Sequence, residues 1–149
     1  MNYIIFDLEW NQSPEGKSGS DERMPFEIIE IGAVRLNEKR EKTGEFQTLI
    51  KPEVYKWIHD SIRSVVHVDY KDLMSGATFP QAIRDFLDWC GEDFVFCTWG
   101  MQDLTELQRN LRYYDLLELL PGPVTYYDIQ KLFSWFHENM KLRRSLEYA

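Results

Sequence analysis

Asp7 and Glu9 stand two residues apart in the opening run Met1-Asn2-Tyr3-Ile4-Ile5-Phe6-Asp7-Leu8-Glu9-Trp10 of a 149-residue chain. The run is rich in β-branched and aromatic residues, the composition of a buried strand. Strand side chains alternate between faces, so the two acids project together, roughly 7 Å apart along the strand. At about 4 Å, two carboxylates repel by roughly 4 kcal/mol at an effective dielectric of 20. Buried charges need partners or a metal. The simplest occupant of an all-oxygen site is a hard divalent cation, Mg²⁺ or Mn²⁺. The competing reading is a strand that ends at the surface with two solvated acids, since charged residues are usually exposed. Spacing alone leaves both open.

A third acid comes from far along the chain. Phe94-Val95-Phe96-Cys97 is short and wholly apolar, which predicts a strand buried on both faces in the parallel part of a mixed sheet. After Thr98-Trp99-Gly100 a helix carries Leu104, Leu107 and Leu111 at i, i+3 and i+7. Asp103 falls in its first turn. There an acid either complements the helix dipole or meets a ligand, because open α/β sheets bind ligands just past the carboxyl ends of their strands.

The other elements form the frame. Phe26–Leu36 and Thr43–Lys51 read as strands around a charged turn, Asn37–Lys42, and with the first strand they make an antiparallel meander. Glu30 is either a support for a metal site or a paired or exposed strand glutamate. Asn11–Pro25 reads as a mobile polar loop. Its Gly16-Lys17-Ser18 is not a phosphate loop, because the glycine required five residues earlier is Asn11. Pro52–Ala77 is irregular with short helical turns around Trp57–Val66, and His59 and His67 read as structural. Thr78, Pro80 and Gln81 open a helix as N-cap, first-turn proline and capping-box partner. Phe79, Ile83, Phe86, Leu87 and Cys90 form its apolar face, and Gly91 ends it. Val124–Tyr127 is a short strand. Asp128–Asn139 is a helix with Ile129, Leu132, Phe133 and Phe136 inward and His137 solvated. Lys141–Ala149 begins another helix.

Composition narrows the function. One domain, 1–149, with a single core fits the length. The 44% hydrophobic and 15% aromatic content excludes a disordered tail. No apolar run reaches the roughly 20 residues that span a bilayer, and no secretion signal is apparent. Cys90 and Cys97 match no zinc spacing and read as small buried thiols, so a cytoplasmic location is expected. A net charge of −8 argues against broad binding to duplex nucleic acid. It leaves room for a nuclease that grips a few nucleotides through metals.

Phe6-Asp7-Leu8-Glu9, Glu27-Ile28-Ile29-Glu30-Ile31-Gly32-Ala33-Val34, and Cys97-Thr98-Trp99-Gly100-Met101-Gln102-Asp103 occur in that order. Together they resemble the DEDD (DnaQ-like) 3′–5′ exonucleases, nearest to the ERI-1 and KapD-type group. Tyr127-Asp128-Ile129-Gln130-Lys131-Leu132-Phe133 is similar to a helix start of the same family. The resemblance covers essentially the whole chain. It implies a ribonuclease H-like α/β fold: a mixed sheet, antiparallel meander plus parallel strands, flanked by helices. It implies hydrolysis at the 3′ end of RNA or single-stranded DNA by two Mg²⁺ or Mn²⁺ ions about 3.5–4 Å apart. Asp7 would bridge the ions, with Glu9 and Asp103 holding them from either side. Leu8, Trp10 and Trp99 are the expected substrate contacts. Trp10 stands where many relatives have threonine, and is either a base-stacking platform or a core aromatic. The family's third motif supplies a general base and a fourth aspartate beyond the region that Ser145–Ala149 resembles. The chain is therefore expected to be truncated before it. Loss of such a base costs about 10²–10⁴ in rate, which keeps two alternatives in view. One is a catalytically impaired nucleic-acid-binding or protein-interaction module on the same fold. The other is a metal-binding domain without nuclease activity.

Overall fold

In the computed structural model, which describes residues 1–58, 60–63 and 68–137, five strands form one sheet. They are β1 (Asn2–Asn11), β2 (Glu27–Leu36), β3 (Lys42–Leu49), β4 (Phe94–Thr98) and β5 (Tyr126–Asp128). The helices are α1 (Asp60–Arg63), α2 (Tyr70–Met74), α3 (Phe79–Cys90), α4 (Gln102–Tyr113) and α5 (Ile129–Phe136). The strand order is β3-β2-β1-β4-β5. β1, β2 and β3 pair antiparallel, while β4 runs parallel to both β1 and β5. This is the expected meander joined to a parallel half.

Alternation along β1 decides what each face does. Ile4, Phe6 and Leu8 are buried, and they pack with Ile83 and Phe86 of α3 and with Leu104, Leu107 and Leu111 of α4. The Phe6 ring lies 4.9 Å from Phe96 and 5.8 Å from Phe86, both edge-on, a favoured aromatic geometry. Asp7 and Glu9 therefore point to the opposite face. Thr78 caps α3 by accepting the Gln81 N–H at 3.4 Å, and Gly91, at φ 80°, ends it. The Gln81 side chain does not close the capping box. It donates to Asp85 one turn on, at 2.8 Å.

Three regions depart from expectation. Asn11 belongs to β1, and the segment after it is pinned rather than loose. Met24 is fully buried, and its carbonyl accepts the Tyr55 hydroxyl at 2.6 Å. That same hydroxyl accepts the Asp21 N–H at 3.0 Å. One phenol from a distant segment thus supplies an order that local composition does not reveal. The β2 register slips between Glu9 and Trp10. Ile28 then enters the main core, while Ile29 joins Leu73 in a second cluster flanked by Ile58, Ile62 and Val68. Finally, α5 has the expected helical spacing but no buried residue: Leu132 is 45% and Phe136 70% exposed. Ile129 and Phe133 of the same face are half-buried, Phe133 beside the Trp99 ring. His59, His67 and residues 138–149 lie outside the described residues.

Candidate active site

The parallel strands β1 and β4 leave the middle of the sheet in opposite directions, β1 toward β2 and β4 through α4 toward β5. Their carboxyl ends form a topological switch point, where such sheets open a crevice. Pairing between them stops at Ile5↔Cys97, yet β1 continues to Asn11. This leaves main-chain groups on one edge of β1 without a strand partner. Asp103, in the first turn of α4, fills the gap: its Oδ1 accepts the Leu8 N–H at 3.1 Å. A buried amide must find an acceptor, so the backbone itself draws the third acid to the strand that carries the first two.

On the opposite side, the direct cross-strand partner of Glu9 is Glu30, and that of Asp7 is Gly32. A side chain at position 32 would meet nothing within 4 Å, so the floor beside Asp7 is open. The Gln47 side-chain amide donates to Glu30 Oε1 at 2.7 Å.

The electrostatics follow from this crowding. Burial raises the Asp7 carboxyl above its ordinary value, and the Glu30 charge adds to it. Glu9 is raised by burial and then by Asp7, Glu30 and Asp103. Asp103 is pushed up to about 6, by burial first and then by the Asp7 charge, with the Leu8 N–H opposing. Glu9 thus feels both other members of the trio and Asp103 feels Asp7, while the charge that Asp7 feels is that of Glu30. Among the described residues no ion pair relieves Asp7, Glu9 or Asp103. As the side chains stand, no group of three His, Cys, Asp or Glu among the described residues is placed to hold a metal ion. The donor set is nevertheless all oxygen, strongly anionic and lacking a counter-charge, which is the chemistry a hard cation requires.

The remaining expected contacts are placed unequally. The Leu8 side chain is 4% exposed and belongs to the core. Trp10 packs against the core, its ring 5.7 Å from Phe26, the arrangement of a core aromatic. Trp99 lies 5.9 Å from Phe133, and its buried indole N–H has no partner among the described residues. Asp128 caps α5 by accepting the Lys131 N–H at 3.0 Å.

Sequence reasoning missed the residues that hold the frame. Glu27 is 3% exposed, and its carboxylate accepts the N–H groups of Glu53, Val54 and Tyr55 at 2.6, 2.8 and 2.9 Å. Asn110, fully buried on α4, accepts the Ile28 N–H at 3.1 Å and donates to Phe26 O at 2.9 Å, tying α4 to the start of β2. An acid opening an apolar strand and an asparagine on a helix's leucine face were the available signals.

A protein-family model, the RNase T exonuclease family, matches residues 4–120. The chain belongs to the RNase T exonuclease family. The recognition of a DEDD-type exonuclease from three motifs is borne out. The solved nuclease domain of 3′hExo, a DEDDh family member bound to rAMP, superposes with a TM-score of 0.77 at 22% identity. That match covers 97% of this chain and 74% of that one. A full-length 3′-exonuclease matches with a TM-score of 0.75 at 20% identity, over 97% and 65% of the two chains. Cell-death related nuclease 4 (CRN-4) matches at 0.63 and 14%, over 91% and 55%. These likenesses establish a shared fold, the ribonuclease H-like sheet expected from the motifs. No curated protein gives a significant match.

Proposed function

We propose that this exonuclease-family domain removes nucleotides from the 3′ end of single-stranded RNA or DNA, with Asp7, Glu9 and Asp103 as its metal-holding carboxylates. The observation that carries the reading is the Leu8–Asp103 hydrogen bond, which brings α4 to the strand bearing Asp7 and Glu9. A solved relative bound to rAMP and another described as recognising the 3′ end of a histone mRNA stem-loop support the substrate class.

The residues fit Mg²⁺ or Mn²⁺ by donor chemistry. Asp7, Glu9 and Asp103 would hold it, and Glu30 adds negative charge beside them. A divalent ion held there would supply Lewis-acid chemistry, lowering the pKa of a water and neutralising charge at the scissile phosphate. The chain's own contribution is positioning. The Leu8 N–H orients one Asp103 oxygen and leaves the other for a ligand. Gly32 keeps the adjacent sheet surface clear, and the core beneath β1 fixes the strand. The reading takes residues 1–149 as one domain. It places the chain in the cytoplasm on the strength of its two free, buried cysteines. No described helix is long and apolar enough to cross a membrane.

The test is a 5′-labelled single-stranded RNA with a free 3′-OH, incubated with Mn²⁺. The expected product is a ladder shortening one nucleotide at a time, absent with chelator. Internal cuts, or shortening that ignores chelation, contradict the reading. Binding without shortening supports the alternative, an impaired binding module on the same fold.

A further inference from the structure

The chain is acidic overall, with a net charge of −8, yet three arginines meet in one cleft away from the carboxylates. Arg23, Arg109 and Arg112 line a cavity of about 310 Å³ together with Tyr113 and, as the acid on its rim, Glu22. Two of the three guanidiniums are held from behind. Glu106 is 2% exposed, and its Oε1 accepts Arg109 Nη1 at 2.8 Å, while Arg109 itself stays 43% exposed. A buried carboxylate thus fixes one edge of a guanidinium whose other edge faces solvent. Arg23 lies 5.0 Å above the Tyr113 ring, and Asp21 accepts from both its Nε and Nη2. Arg112 is exposed at the next turn of α4. Guanidiniums held in a fixed orientation match phosphate oxygens two at a time, and basic clefts with an interleaved aromatic follow single strands.

The position suits a strand that ends at the carboxylates. The rise of an α-helix places Arg109 about 9 Å and Arg112 about 13.5 Å along the axis from Asp103, on the solvent side of the helix, so the strand would pass around α4 to reach the carboxylates. The α4 helix runs from the Leu8 edge of β1 toward the start of β2, where Asn110 holds Ile28 and Phe26. We propose that Arg23, Arg109 and Arg112 form a phosphate clamp for single-stranded nucleic acid, gripping the backbone a few nucleotides upstream of the 3′ end. This rests on the exonuclease reading and adds to it the route of the strand.

The experiment measures binding of a fluorescein-labelled ten-nucleotide oligouridylate by anisotropy, in Ca²⁺, across a salt series. The variants are the double substitution Arg23→Ala/Arg112→Ala and, as the loss of a single charge elsewhere, Arg84→Ala on α3. Arg23 and Arg112 are exposed, so their truncation leaves the core intact. Arg109 stays unchanged so that Glu106 keeps its partner. Single strands lose roughly 0.7 of log–log salt slope per phosphate contact. The double variant should therefore lose about 1.4 of the parent's slope, with the slope of Arg84→Ala unaltered. An unchanged slope in the double variant, or an equal loss in Arg84→Ala, overturns the clamp alone. A parent chain that neither binds nor shortens the oligomer overturns the exonuclease reading and the clamp with it.

Discussion

The two faces of β1 are made by alternate residues of one strand, and they are built to opposite ends. Ile4, Phe6 and Leu8 are at most 4% exposed and lie within aromatic and aliphatic neighbours from α3, α4 and β4. Asp7 and Glu9, between and beyond them, face a surface shared with Glu30 and Gly32. One face is satisfied as it stands. The other holds like charges that raise each other's proton affinity. The apolar face holds the strand rigid enough for its neighbour to keep that repulsion. Stability and chemistry are thus separated by a single residue step, and substitutions on the two faces should report on different properties.

The largest expected effect is on the apolar side. Phe6→Ala removes a ring packed against Phe86 and Phe96 and should cost about 3–5 kcal/mol of unfolding free energy, measured by urea denaturation. A loss under about 1 kcal/mol would mean that this face is not the keystone described. A smaller effect of opposite character is expected at Asp103. Burial pushes its folded carboxyl up to about 6, above the ordinary aspartate value of 3.8. The folded state therefore holds the proton more tightly than the unfolded chain does. Stability of the metal-free chain should fall as pH rises between about 4 and 6, by about 3 kcal/mol or less. Asp103→Asn keeps an acceptor for the Leu8 N–H and should flatten that part of the profile, read as Tm against pH. A profile that stays equally steep would place the strain elsewhere.

Much of this contrast was legible in the residues. The period of two in β1, the leucine spacing of α4 and the Thr78–Gly91 boundaries of α3 are local patterns, and each element formed as expected. The Asp7, Glu9 and Asp103 trio was legible because the motif order fixes a topology, and the topology brings two strand ends together. Other features depend on partners distant in sequence. Glu27 reads as one more strand acid until the N–H groups of residues 53–55 arrive around it. Tyr55 orders the segment before β2 from 31 residues away, through the Met24 carbonyl. Leu132 and Phe136 of α5 were read as inward with Ile129 and Phe133 but are exposed, because spacing reports amphipathicity, not what covers it.

The central claim is that three carboxylates from β1 and α4 serve one cation site. Isothermal titration of Mn²⁺ into the metal-free chain and into Asp7→Ala tests it most directly. The account predicts saturable binding by the parent. It also predicts affinity at least about 10–100-fold weaker in the variant, since even residues that only orient metal ligands cost that much when lost. Equal affinity in the two proteins would contradict it.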